Sequence, residues 1–310
     1  LGFRNLYINY ILNDYKMNTM YIITIILAII YFILVVKYQN RINNELTIIQ
    51  VNEPNYSQIE NIVYSRNPAI LTGMIENIKE LYQWDPDYFK QKFPNELITV
   101  QTSLIEQSKS KFINISMDKY IDFINNIKHE NYYSWQDKHF LKKHSLDIPI
   151  KKYFSQYFNE SFSEYFLSIS PNKYRKGLHC NLNNLSIICQ IYGQKSIYLF
   201  NPDQRKFLYP SNKLLKNGEV SNVHFWDKNS HKDYPLFKDA KYIEIKLSPG
   251  QLFIIPPFWW YCFETIDNNI DIVYKGDIVF QKISNISHNC KVLLHNCGLY
   301  KTNDCTCCNL

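Results

Sequence analysis

Glycine is scarce in this chain, with 8 in 310 residues. No Gly/Ser linker, low-complexity tract or long repeat breaks the text between Ile49 and Ile283. These absences exclude a string of loosely joined modules and point to one domain over that stretch. A Lys/Arg block is also missing. The net charge of +6 is scattered along the chain, so there is no basic arm of the kind that binds nucleic acid. Charge is absent altogether from Tyr21 to Val36, YIITIILAIIYFILVV. No small-x-small cleavage site follows that run, since Val35-Val36-Lys37-Tyr38 is a poor one. The hydrophobic fraction of 46%, with 16% aromatics, excludes global disorder and allows a substantial core.

The uncharged run, taken with Thr19 and Met20, has the length and polarity of a membrane-spanning helix over residues 19–36. Tyr21, Tyr31 and Tyr38 stand where interfacial aromatics belong. A signal peptide and a buried core helix are the competing readings. The chain begins with Leu1, and Met17 and Met20 lie just before the run. Residues 1–18 are therefore read as an extension of uncertain status. With Met17 as the start, Lys37 and Arg41 place the large domain in the cytoplasm. With residues 1–16 included, Arg4 and Lys16 balance them and the orientation stays open.

Residues 37–50 read as a polar connector. The first half of the region beyond it, residues 51–283, mixes helix and strand signals. Ser57–Ser65 and Ile78–Lys92 carry helical spacing, the latter with Trp84, Tyr88 and Phe89 on one side. Ser116-Met117-Asp118 opens a further helix with Tyr120, Ile121, Phe123 and Ile124 as its apolar face. Ala69-Ile70-Leu71 and Ile98-Thr99-Val100 are short strands. The second half is strand-rich: Ile187–Ile191, Ser196–Phe200, Tyr242–Leu247, Gln251–Ile255 and Ile270–Tyr274, separated by Gly, Pro and Asn. Many short strands with such turns predict a mostly β fold with flanking helices, a jelly-roll barrel preceded by one transmembrane helix.

Two segments about seventy residues apart are the most informative. One is GLHCNLNNLSIICQIYGQKSIYLFNP, from Gly177 to Pro202. The other is PGQLFIIPPFWWY, from Pro249 to Tyr261. With Asn67-Pro68-Ala69 through Gly73, Trp84 to Tyr88, Asn131-Tyr132-Tyr133 and Pro235-Leu236-Phe237, they resemble the jumonji-type (JmjC), cupin-like 2-oxoglutarate oxygenases. Within these, the similarity is to the asparaginyl-hydroxylase-like branch. The resemblance covers residues 60–280 and implies a double-stranded β-helix with Fe(II) and 2-oxoglutarate as cofactors.

In that family a His-x-Asp pair on one strand and a His from a later strand hold the iron. The corresponding residues here are His179, Asn181 and Tyr261. One residue is inserted near Leu182–Leu185, and the register that avoids the insertion would put Cys180 and Leu182 at the ligand positions, which is worse. An Asn amide offers iron a neutral dipole where a carboxylate brings charge. A Tyr hydroxyl, with a pKa of about 10, is mostly protonated at neutral pH. Cys180 and Cys262 neighbour the ligand positions, but alternation aims them away from the interior. His224 and His231 lie in the loop before the distal strand, and no spacing favours them as replacements. By resemblance, Lys195 pairs with the distal carboxylate of 2-oxoglutarate, with Asn184 (or Asn183) and Tyr132 (or Tyr133) beside it. A Thr of the family is Lys176 here. The competing reading of Lys195 is a surface lysine at a strand end.

Five cysteines crowd the last segment, residues 284–310: Cys290, Cys297, Cys305, Cys307 and Cys308. His288-Asn289-Cys290 recurs as His295-Asn296-Cys297. Zinc, disulfides, S-acylation and a poorly ordered tail are the open readings, since the spacing matches no two-plus-two zinc pattern. Two functions follow. One is a catalytically impaired relative of protein hydroxylases that acts by binding, at a membrane, a protein partner the sequence does not name. The other is an active hydroxylase or demethylase of protein side chains with non-standard ligands. The resemblance also implies a homodimer through C-terminal elements.

Overall fold

In the computed structural model, residues 2–39, 42–75, 78, 81, 83–101, 112–126, 134–146, 149–158, 163–215, 217–277 and 279–301 are described. The chain divides into two units, Leu1–Arg41 and Ile42–Leu310. The first is one helix, α1 (Gly2–Gln39). Within it Asn18–Tyr38 has a mean hydropathy of 2.8 with none of it buried, and is long and apolar enough to cross a membrane. The helix runs unbroken from the extension into the start of the expected connector. No break is encoded there, because neither Gly nor Pro occurs between Phe3 and Gln39.

The second unit carries fourteen described strands. They are β1 (Ile49–Asn52), β2 (Ala69–Thr72), β3 (Leu97–Gln101), β4 (Phe112–Ser116), β5 (Trp135–Asp137), β6 (Glu164–Ser170) and β7 (Arg175–Asn181). Then come β8 (Asn184–Tyr192), β9 (Lys195–Phe200), β10 (Gly218–Val220), β11 (Ile243–Leu247), β12 (Leu252–Ile255), β13 (Trp260–Thr265) and β14 (Asn269–Asp277). One sheet has the order β1-β2-β12-β8-β14-β6-β5, the other β10-β7-β13-β9-β11, and β3 and β4 pair as a third, two-stranded sheet. From β6 to β9 the chain switches sheet with every strand, and it does so again from β11 to β14. The pairs β6-β14-β8-β12 and β7-β13-β9-β11 are all antiparallel. This is the expected jelly roll.

Period-two alternation along these strands sorts the side chains into three apolar clusters. Ile187, Cys189, Leu252, Ile254, Ile270, Ile272 and Tyr274 lie on the outer face of the larger sheet. There they pack against α2 (Tyr56–Ser65), α3 (Pro86–Lys92) and α4 (Met117–Asn125). Ile188, Phe253 and Ile255 face inward and meet Ile197, Leu199, Ile245, Leu247 and Tyr261 of the smaller sheet. Leu178, Cys180, Phe200, Trp260 and Cys262, on the outer face of that smaller sheet, are covered by Leu208, Val223 and Phe237.

The helices start where side chains can cap them. Asn55 and Gln58 form a reciprocal capping box on α2, and Arg66 ends that helix in a left-handed conformation. The expected helix Ile78–Lys92 begins anew at Asp85. The Asp85 carboxylate accepts from the Tyr88 amide at 2.7 Å, and Pro86 fills the first helical position. Buried Tyr120 on α4 donates to the Ile169 carbonyl at 2.7 Å, fixing the helix to β6. The C-terminal segment also folds in part, as α5 (Val279–Ser284) and α6 (Ile286–Asn296). Asn285 donates to the Leu182 carbonyl and to the Asn183 side chain, which in turn donates to Asn289.

Ile187 is fully buried at the centre of the larger sheet. Ile187→Ala is expected to lower stability by about 2–5 kcal/mol in urea melts. A loss below about 1 kcal/mol would show that the helices do not pack on this face.

Candidate functional site

Leu178 and Cys180 point into the outer cluster, so His179 and Asn181 share the inward side of β7. Tyr261 stands directly opposite His179 in the β7–β13 pairing. The three ligand positions inferred from the sequence are thus neighbours. Their side chains, however, are engaged elsewhere. The Asn181 amide donates to the Ser186 hydroxyl at 2.7 Å, and its backbone carbonyl accepts from Phe258 at 2.8 Å. His179 Nδ1 lies 2.8 Å from the Gly177 carbonyl. A carbonyl only accepts, so Nδ1 carries the proton in this contact. The Tyr261 ring sits against the imidazole, with centroids 4.2 Å apart and planes tilted by 52°.

The neighbouring thiols offer no substitute. Cys180 and Cys262 are both buried on the outer face. Burial raises the pKa of both, with the Glu219 carboxylate adding to the rise at Cys180. They stay protonated, whereas a metal takes the thiolate. The His231 ring bonds the Phe225 carbonyl at 3.1 Å and packs on Phe237. Neither His231 nor His224 lines the cavity described next.

Inside the barrel is a cavity of about 270 Å³. Tyr174, Lys176, Lys195, Tyr261, Asp271 and Lys275 are among its lining residues. Gly193 places Lys195 there. Its positive φ makes the tight turn from β8 into β9, and a Cβ at this position would lie 2.0 Å from the Asn268 carbonyl oxygen. Lys195 is no surface lysine: its side chain is 1% exposed and its ammonium lies 2.6 Å from Asp271 Oδ2. The Phe263 ring centroid is 4.7 Å from the same nitrogen. Asp271 is the site residue that the sequence reading missed. The available signal was a lone acid between Ile270 and Ile272 on an expected strand, where alternation turns it to the inward side. Asn184 is buried at the start of β8 but does not line the cavity. Tyr132 and Tyr133 lie outside the described residues.

In the tail, Cys290 and Cys297 are exposed free thiols. They are seven residues apart on or beside α6, about 10 Å along its axis, too far for a disulfide between them. His288 bonds the Leu215 carbonyl and His295 the Tyr300 carbonyl. Cys305, Cys307 and Cys308 lie outside the described residues.

A profile of the cupin-like domain family matches residues 54–274, most of the chain. The chain belongs to the cupin-like domain family. Its relatives include JmjC proteins. JmjC domain-containing protein D of Dictyostelium discoideum is 35% identical over 89 residues, 28% of this chain and 19% of that protein. Lysine-specific demethylase 8 of Xenopus tropicalis is 31% identical over 90 residues, 29% of this chain and 20% of that protein. The tRNA wybutosine-synthesizing protein 5 of Gallus gallus is 25% identical over 217 residues, 63% of this chain and 66% of that protein. The matches thus span from a fifth to two thirds of these relatives.

The donor set does not fit the iron that JmjC proteins generally use. A facial site needs two imidazoles and a carboxylate. The positions here supply one imidazole, an amide bonded to a hydroxyl, and a phenol. Among the described residues no three His, Cys, Asp or Glu side chains group to hold a metal ion.

Cys180, Cys189 and Cys262 are buried, and Cys290 and Cys297 exposed. In the native protein N-ethylmaleimide is expected to modify Cys290 and Cys297 and to leave the other three intact until denaturant is added, as read by peptide mass mapping. Native labelling of Cys180 or Cys262 would mean that the outer cluster opens.

Proposed function

We propose that this protein is a membrane-tethered, catalytically impaired member of the cupin-like family that acts by binding and not by oxidation. The carrying observation is the ligand face itself. Asn181 is bonded to Ser186 and Tyr261 packs at a tilt against the His179 ring, so two of three ligand positions are committed to neutral contacts within the barrel. A neutral oxygen dipole and a protonated phenol leave Fe(II) with one strong ligand, too few to hold it against water.

The tether in this reading is Asn18–Tyr38, whose apolar surface is unburied. With Met17 as the start, Lys37 and Arg41 favour a barrel on the cytoplasmic side. The relatives' names point to different substrates, a lysine and a tRNA, so the partner is left as a protein or other ligand at the membrane surface.

Anaerobic titration of the detergent-solubilised full chain with Fe(II) or Mn(II) tests the proposal. The parent is expected to bind weakly. Asn181→Asp combined with Tyr261→His restores the donor set and is expected to tighten binding by at least about a hundredfold, or about 2.7 kcal/mol. Stoichiometric tight iron in the parent, with succinate released from 2-oxoglutarate, would overturn it. The tether is checked separately: the protein is expected to stay with membranes through alkaline carbonate extraction.

A further inference from the structure

Lys195 and Asp271 come from different sheets and meet inside the barrel. Lys195 opens β9 in the smaller sheet, and Asp271 lies on β14 in the larger one. Their side chains are 1% and 4% exposed and 2.6 Å apart. Both line the same cavity. The carboxylate therefore sits within the space that a ligand would enter, on the most deeply buried ammonium there. Lys176 and Lys275 also line the cavity but are only half-buried, so water screens them more strongly.

We propose that Asp271 is a built-in carboxylate that occupies Lys195 and shuts dicarboxylates such as 2-oxoglutarate out of this pocket. An incoming carboxylate would have to displace Asp271 from Lys195. It would otherwise share one ammonium with it, two like charges held close together where little water screens them. Asp271 in this chain thus does what a bound anion would do, and it sets what the cavity accepts. This inference goes beyond the reading of the metal positions. It concerns the charged pair in a cavity that Tyr261 also lines, and holds whether or not a metal binds.

Calorimetric titration of the detergent-solubilised full chain with 2-oxoglutarate and with succinate, in chelator and without added metal, keeps the two readings separate. The parent is expected to show no saturable binding at millimolar ligand. Asp271→Asn keeps the size and a hydrogen-bonding oxygen but removes the charge. It is expected to gain saturable binding, at least about tenfold tighter than the parent. Adding Lys195→Met to that variant is expected to abolish the gain. Micromolar binding by the parent overturns the proposal, as does a folded Asp271→Asn protein that gains nothing. Where Asp271→Asn does not fold alone, the proposal predicts that succinate restores its folding by replacing the lost carboxylate. Failure of that rescue overturns it too.

Discussion

Strict alternation of side chains between the two faces of each strand is the constraint on which the rest of this barrel depends. The odd residues of β8, Ile187 and Cys189, face the helices, while Ile188 faces the smaller sheet. Slipping any central strand by one residue would exchange these two sets and turn its charged members into apolar layers. The same rule delivers His179 and Asn181 to the interior and Cys180 to the outer cluster. It also delivers Asp271 to the interior between two isoleucines that face the other way. Fold and site are therefore one decision about register.

That rule can place a charge inside, but it cannot make it comfortable there. An isolated ammonium in the position of Lys195 would be strongly penalised by loss of water. Asp271 relieves the penalty, and the pair also links the two sheets. Its worth as a stabiliser is modest in general, because both charges are desolvated to make it. Removing one partner is the costly change, typically about 3–5 kcal/mol, since the other charge is left buried and unpaired. The pair thus makes each residue dependent on the other. A chain with Lys195 buried needs a carboxylate beside it, from a ligand or from itself, and here it comes from the chain.

Much of this was legible in the sequence, because short β-branched runs broken by Gly, Pro and Asn carry their period openly. Ile187–Ile191, Ser196–Phe200 and Ile270–Tyr274 read as strands and are strands. The inward aim of His179 and Asn181 and the outward aim of Cys180 and Cys262 followed from that period alone. The break at Asp85 was written in the sequence as well, in a capping acid followed by proline, but the apolar spacing of Trp84, Tyr88 and Phe89 ran across it. The Lys195–Asp271 contact was not legible. Its members are 76 residues apart, and their meeting depends on the registers of β9, β13 and β14 together. The docking of α6 was hidden for a different reason. It rests on Asn183, Asn285 and Asn289, and asparagine is so common in this chain that these three carried no signal.

The ligand positions do not hold the barrel together. The residues that secure β7 and β13 are their outward neighbours, Leu178 and Cys180 on one strand, Trp260 and Cys262 on the other. Those side chains are buried against the long loop that covers the smaller sheet, and they fix the strands whatever stands on the inner face. Inward, a metal site sets groups that attract water and charge in the middle of an apolar layer. Exchanging one of them for Tyr261 adds a ring to the inner cluster beside Leu199 and Trp259, which favours burial. Exchanging another for Asn181 replaces a charge with an amide whose donor is satisfied by Ser186, which removes a desolvation cost. Measured against the facial triad, Tyr261 and Asn181 are therefore neutral or favourable for folding, while a carboxylate and a second imidazole there would add desolvation cost. On the proposed reading, folding stability does not oppose the absence of a metal, because the outer frame holds without ligands on the inner face.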